Sequence, residues 1–230
     1  MKTLGIIGGL SPESTRHYYQ WLCDGVREAK GGLNYPEILM ATVNQQFVYE
    51  NKKAGNWDAI AKKLTDKAQL LENSGADLLL IATNTMHNVA PAVEDAVSIP
   101  LIHIVDVTAD RICKVGLSKV GMLSTIESAE LPFYRERLTA KGIELIVPET
   151  REDREEVDRI INEELCKGIV ETESKAFFIK QVQAMIAQGA EGIILGCTEV
   201  DILVGQDDFD FPVFDTTRIH VEEALRDILG

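Results

Sequence analysis

Two patterns of apolar and polar positions alternate along the chain. Short, largely apolar runs rich in β-branched residues read as strands buried on both faces. They occupy residues 3–7, 37–43, 78–82, 99–104, 119–125, 143–147, 192–195 and 211–215, and the run at 119–125 ends in a polar turn. Longer segments with apolar residues at helical spacing lie between them, at 13–29, 57–73, 89–96, 129–140, 153–166, 174–188 and 217–229. Ser11 and Pro12 mark the start of the first of these helices, and Gly75 is placed to end the second. Residues 44–56, with Gln45, Gln46, Lys52 and Lys53, read as a loop. Strands and helices alternating at these lengths build parallel sheets through right-handed crossovers, flanked by helices.

The pattern then repeats. Gly75-Ala76-Asp77-Leu78-Leu79-Leu80-Ile81-Ala82-Thr83-Asn84-Thr85 aligns without a gap on Gly189-Ala190-Glu191-Gly192-Ile193-Ile194-Leu195-Gly196-Cys197-Thr198-Glu199, 114 residues further on. The strand at residues 3–9 matches 119–125 at an offset of 116, and Ile99-Pro100-Leu101-Ile102 matches Phe211-Pro212-Val213-Phe214 at 112. Three matches at nearly one offset imply an internal duplication into two α/β lobes. In that pairing Thr83 falls opposite Cys197.

Charge narrows the partners. A net charge of −14 provides no basic face for nucleic acid or an anionic membrane. No run is long and apolar enough to span a bilayer. Cys23, Cys113, Cys166 and Cys197 form no CxxC and no zinc spacing, so reduced thiols in a cytoplasmic protein are expected. Cys23 and Cys113 read as small buried hydrophobes. His17, His87, His103 and His220 have no ligand spacing, and no metal is expected. His87 reads either as a group behind a site or as a satisfied histidine at a helix start. The acidic run at 149–158 reads as a solvated helix start.

The polar strand ends carry the candidate chemistry. Open α/β sheets bind ligands at the carboxyl ends of their strands. Gly9, Leu10 and Ser11 follow the first strand, and the amides of the helix start there would attract an anion. GxGxxG and Gly-Lys-Ser/Thr are both absent, so neither a dinucleotide fingerprint nor a P-loop is present. Thr83 and Cys197 each end a strand. Two proton-transfer groups facing one substrate from opposite sides suit inversion of a stereocentre. A thiol is a suitable acid or base, with an unperturbed pKa of about 8.5. Asn84, Thr85, Thr198 and Glu199 are candidate substrate-binding residues, and Lys52 is a candidate cation. No pyridoxal site is evident, and no cofactor is expected.

Four motifs together are similar to the aspartate/glutamate racemase family of cofactor-independent amino-acid racemases. They are Gly8-Gly9-Leu10-Ser11-Pro12-Glu13-Ser14-Thr15, Thr83-Asn84-Thr85-Met86-His87, Gly196-Cys197-Thr198-Glu199 and Pro212-Val213-Phe214-Asp215-Thr216. The resemblance spans essentially the whole chain. It implies two pseudo-symmetric flavodoxin-like lobes with the active site in the cleft between them, an amino-acid substrate and a homodimer. It implies a second lobe, 106–209, inserted in a first lobe formed by 1–105 and 210–230. Thr83 and Cys197 would be the catalytic pair, each acting on one face of an acidic amino acid.

Three departures bear on mechanism and substrate. Family members commonly carry cysteine where this chain has Thr83, but an L-aspartate/glutamate-specific subgroup resembles it in reading Thr-Asn-Thr-Met-His. Many aspartate racemases have an arginine after the second strand, where Gln45-Gln46-Phe47 stands here. Many also have a lysine where Glu164-Leu165-Cys166-Lys167-Gly168 places Cys166. Lys52, Lys53 and Arg16 are possible replacements, though each also reads as a solvated surface residue. Maleate isomerase, hydantoin racemase and arylmalonate decarboxylase relatives, using Cys197 alone, are the enzyme alternatives. A catalytically silent amino-acid-binding protein is the alternative of another class.

Overall fold

The computed structural model describes residues 1–230. The chain forms two compact units, Met1–His103 with His220–Gly230, and Ile104–Ile219. Each is a parallel sheet flanked by helices.

In the first unit the sheet order is β2-β1-β3, with β1 at Leu4–Gly8, β2 at Ile38–Thr42 and β3 at Leu78–Ile81. Every residue of β1 and β3 is buried, as expected of central parallel strands covered on both sides. Leu101 adds a single parallel bridge to Leu79 beyond β3. Helices α1 (Pro12–Lys30), α2 (Gln45–Lys53), α3 (Trp57–Asn73) and α4 (Ala90–Glu94) complete this part. Ile60, Leu64, Ala68 and Leu71 of α3 are buried at helical spacing.

In the second unit the order is β5-β4-β6-β7, with β4 at Lys119–Leu123, β5 at Glu144–Ile146, β6 at Ile193–Leu195 and β7 at Val213–Asp215. Its helices are α5 (Ile104–Lys114), α6 (Ile126–Glu130), α7 (Pro132–Ala140), α8 (Arg151–Arg159) and α9 (Thr172–Ala187). The final helix, α10 (Thr216–Leu229), starts in the second unit and belongs to the first from His220 onward.

The repeat in the sequence reappears as a repeat of hydrogen bonds. Asp77 N–H donates to the Thr3 carbonyl at 2.8 Å, and Glu191 N–H to that of Lys119 at 2.8 Å. The Asp77 carboxylate accepts from Thr3 N–H at 2.6 Å, and Glu191 accepts from Ser118 and Lys119 N–H at 2.8 and 3.0 Å. Leu79 N–H donates to Pro100, and Ile193 N–H to Pro212. Gly5 pairs with Leu79 and Gly121 with Ile193. A Cβ on Gly5 would lie 2.7 Å from Leu79 Cδ2, and one on Gly121 2.6 Å from Ile193 Cδ1. The matched glycines let a neighbouring side chain lie flat over each central strand.

Several expected elements are corrected. Residues 44–56 hold α2, with the Asn44 side chain accepting from Gln46 N–H at its start. The helix is concealed because Val48 is its one buried residue, so it has no apolar stripe. The strand expected at 99–104 is reduced to the Leu101 bridge, and α5 begins at Ile104 with Val105, Thr108, Ala109 and Ile112 buried at helical spacing. The helix expected at 129–140 is broken at Leu131, whose ψ of 145° is the extended backbone favoured before Pro132. The helix expected at 153–166 starts at Arg151 and passes into a wider π turn at Ile160–Glu164. The lobe boundary expected at 209/210 falls at 219/220. The reason is β7, which pairs with β6 from Val213 to Asp215 and so holds residues 213–215 in the second sheet.

Gly192 tests this packing. A Cβ there would meet the Pro212 carbonyl oxygen at 2.8 Å, a backbone atom held in the sheet. Gly192→Ala should cost about 1–3 kcal/mol in urea unfolding. Gly205→Ala, where a Cβ meets nothing within 4 Å, should stay within about 0.5 kcal/mol. Equal effects would contradict the packing.

Candidate active site

In the first unit, β1 and β3 end side by side. Ala82 N–H donates to the Ile7 carbonyl at 3.0 Å, and Ser14 Oγ donates to the Ala82 carbonyl at 2.8 Å. This brings the Gly9-Leu10-Ser11 turn beside Thr83, Asn84 and Thr85. Gly9 has φ of +74°, and a Cβ would stand 2.4 Å from the Val43 carbonyl oxygen, so glycine is required. Its N–H donates to Thr15 Oγ1 at 2.9 Å. Ser11 Oγ accepts from Ser14 N–H at 3.3 Å, capping α1 as expected, while Leu10 is buried in the core. Lys52 lies in the last turn of α2, two turns on from Gln45. A groove of about 850 Å³ opens along β2 and the start of α1, lined by Gly9, Arg16, Tyr19, Met40, Asn44 and Gln45 among others and not by Thr83, Asn84 or Thr85. Arg16 is thus the cation on that groove, and it is paired with Glu13 at 2.8 Å.

In the second unit, Cys197 follows β6. Gly196 N–H donates to the Leu123 carbonyl at 2.8 Å, and a Cβ on Gly196 would meet Ser124 Cβ at 2.9 Å. Thr216 Oγ1 donates to the Leu195 carbonyl at 2.8 Å. The ends of β4, β6 and β7 therefore converge on Cys197, Thr198 and Glu199. Glu199 is 3% exposed. One of its oxygens, Oε2, accepts from Thr198 Oγ1 at 2.6 Å and from Cys197 Sγ at 3.0 Å.

The two motifs share one pattern of burial. Among residues 81–87 Thr83 alone is not buried, and among residues 192–200 Cys197 alone is not buried. Each strand end thus offers one reachable side chain, held by buried polar neighbours.

The electrostatics differ. Although the residue as a whole is only partly buried, desolvation by the surrounding protein pushes the Cys197 thiol well up, and the Glu199 carboxylate and then Cys166 add to the shift. The resting thiol is therefore protonated and donates to Glu199. Asp201 is pushed up to about 6, first by burial and then by the charges of Asp215 and Glu199. Glu199 thus links the thiol to a second, partly buried carboxyl, Asp201.

Some of this was hidden in the sequence. Cys166 packs on the same apolar cluster as Cys197 and perturbs its thiol, a contact between residues 31 positions apart that no local spacing shows. The histidines, scattered in sequence, gather in the first unit, with His87 and His103 ring centroids 4.5 Å apart and His87 and His220 5.7 Å apart. Cys113, expected to be buried, is exposed, whereas Cys23 is buried. Cys113 sits in the last turn of α5 (Ile104–Lys114), beyond Ile112, the last buried residue of that helix.

The chain matches the Asp/Glu/hydantoin racemase family over residues 7–224 and belongs to it. It is 43% identical to a Yersinia pestis protein named provisionally as an Asp/Glu racemase, with complete coverage of both chains and a TM-score of 0.94. It is 35% identical to PH1733, an aspartate racemase homologue from Pyrococcus horikoshii OT3, again over both whole chains, with a TM-score of 0.87. The broad specificity amino-acid racemase RacX of Bacillus subtilis is 23% identical, covering 99% of this chain and 98% of its own. No helix is long and apolar enough to cross a membrane.

Because the Glu199 charge raises the Cys197 thiol, Glu199→Gln should lower the pH at which the thiolate forms. The pH profile of Cys197 alkylation by iodoacetamide, read by peptide mass spectrometry, checks this. A midpoint that stays put or rises would contradict the assignment.

Proposed function

We propose that the protein is a cofactor-independent racemase of an acidic amino acid, aspartate or glutamate, in which Cys197 exchanges the α-proton of the L-enantiomer and Thr83 that of the D-enantiomer from the opposite face. The observation that carries this reading is the shared burial pattern, in which Thr83 and Cys197 are the reachable side chains of two matched strand ends. Family membership supports the reaction class.

The proton inventory favours unequal roles. Cys197 is protonated at rest, so as an acid it delivers its proton directly to the substrate carbanion. To act as a base it first passes that proton to Glu199 Oε2, 3.0 Å away, and the thiolate then takes the α-proton. The carbanion is quenched from the other face by the Thr83 hydroxyl, which regains its proton from water. A hydroxyl is a far weaker acid than a thiol, so Cys197 carries the larger share of the acid–base work. Backbone amides at the start of α1 would hold the α-carboxylate, with Asn84, Thr85 and Thr198 completing the binding set. A homodimer is part of the proposal, and the exposed apolar side chains Tyr19, Leu33, Tyr35 and Met40 on the first unit support it.

The test is α-proton exchange in deuterated water, followed by NMR on a panel of amino acids. Exchange should be greatest for aspartate or glutamate and should fall about 10²–10⁴-fold in Cys197→Ala. Binding without exchange, or turnover of maleate in place of an amino acid, would overturn the reading.

A further inference from the structure

Four ring side chains from separate segments pack together in the first unit. They are Tyr18 of α1, His87 four residues after Thr83, His103, and His220 of α10. Tyr18, His87 and His220 are 0% exposed and His103 is 3% exposed. Burying three imidazoles is costly unless their polar atoms are used.

The contacts fix the tautomers. His87 Nδ1 lies 2.8 Å from the Thr83 carbonyl oxygen. A carbonyl only accepts, so Nδ1 carries the hydrogen. His220 Nε2 lies 2.8 Å from the Ile102 carbonyl, so Nε2 carries its hydrogen and Nδ1 accepts from the Tyr18 hydroxyl at 2.7 Å. Burial pushes both histidines down, His220 to about 4, so these neutral forms persist at physiological pH. The rings pack edge to face, with His103 and His220 both against His87 and Tyr18 against His220.

We propose that His87, braced by His103, His220 and Tyr18, is a positioning residue that sets the Thr83 hydroxyl for proton transfer. This rests on the reading of Thr83 given above. Thr83 N–H donates to the Ile81 carbonyl at 2.8 Å, and its own carbonyl takes the His87 hydrogen bond. Both main-chain polar groups of Thr83 are tied, which fixes the direction of its Cα–Cβ bond. The other strand end differs: 114 residues on from His87 stands Asp201, whose carboxylate has no hydrogen to offer the Cys197 carbonyl when ionised. The side-chain brace is thus built on the side with the weaker proton-transfer group, where misplacement would be least tolerated.

Directional exchange tests this. His87→Phe keeps a ring and loses the donor, while His87→Asn keeps a donor at the Nδ1 position. In deuterated water, His87→Phe should slow net racemisation about 10²-fold. Solvent exchange into recovered L-substrate, which needs only Cys197, should stay close to wild type. His87→Asn should restore most of the racemisation. Tyr18→Phe leaves every ring in place and should give the same pattern at smaller size, which keeps the test open if His87→Phe does not fold. Unchanged racemisation in these variants would overturn the proposal, as would parallel loss of exchange and racemisation, the mark of a structural role alone. If Thr83→Val racemises as fast as wild type, the role of Thr83 has failed and that of His87 with it; a slow Thr83→Val beside an unimpaired His87→Phe overturns His87 alone.

Discussion

The pairing of β1 with β3 at Gly5 and Leu79, and of β4 with β6 at Gly121 and Ile193, is the contact on which the rest depends. Register in a parallel sheet decides which residue leaves the sheet first at the carboxyl end. In both units the register releases one partly buried side chain among fully buried ones, Thr83 in one and Cys197 in the other. A Cβ on either glycine would press on the side chain of its paired residue. The Asp77 and Glu191 carboxylates fasten the other ends of the same strands. The position of Thr83 and of Cys197 is thus secured by close packing and by hydrogen bonds a full strand length away.

Within that frame the two strand ends are tuned in opposite ways. Cys197 sits beside a buried carboxylate that accepts its hydrogen and resists its ionisation. On the Thr83 side His87 and His220 are neutral imidazoles with settled tautomers. A thiol needs help to give up its proton to a partner and recover it, and Glu199 supplies an acceptor. A hydroxyl offers little acid–base latitude, so accurate placement is what a protein can add.

Much of this was legible in the chain. The fold class followed from buried strand patterns alternating with helices, and the repeat was readable because Gly75–Thr85 and Gly189–Glu199 obey the same constraints of turn, sheet and strand end. The Thr83/Cys197 pairing followed from it. What was hidden depended on tertiary contacts. Helix α2 has only Val48 to bury, so its polar sequence gave no periodic signal. The lobe boundary was misplaced because β7 bonds to β6, a choice of partner that strand pattern alone does not state. The histidine cluster joins residues separated by up to 133 positions in sequence, and no local spacing announces it.

In the proposed reaction a thiol backed by Glu199 and a hydroxyl without such a partner share the proton transfer unequally. The reaction run to low conversion in deuterated water from each enantiomer of aspartate and of glutamate, with deuterium measured in product and in recovered substrate, reads this inequality. Solvent label should enter recovered L-substrate faster than recovered D-substrate, because the Cys197 face exchanges more readily than the Thr83 face. Equal labelling from the two enantiomers would contradict it.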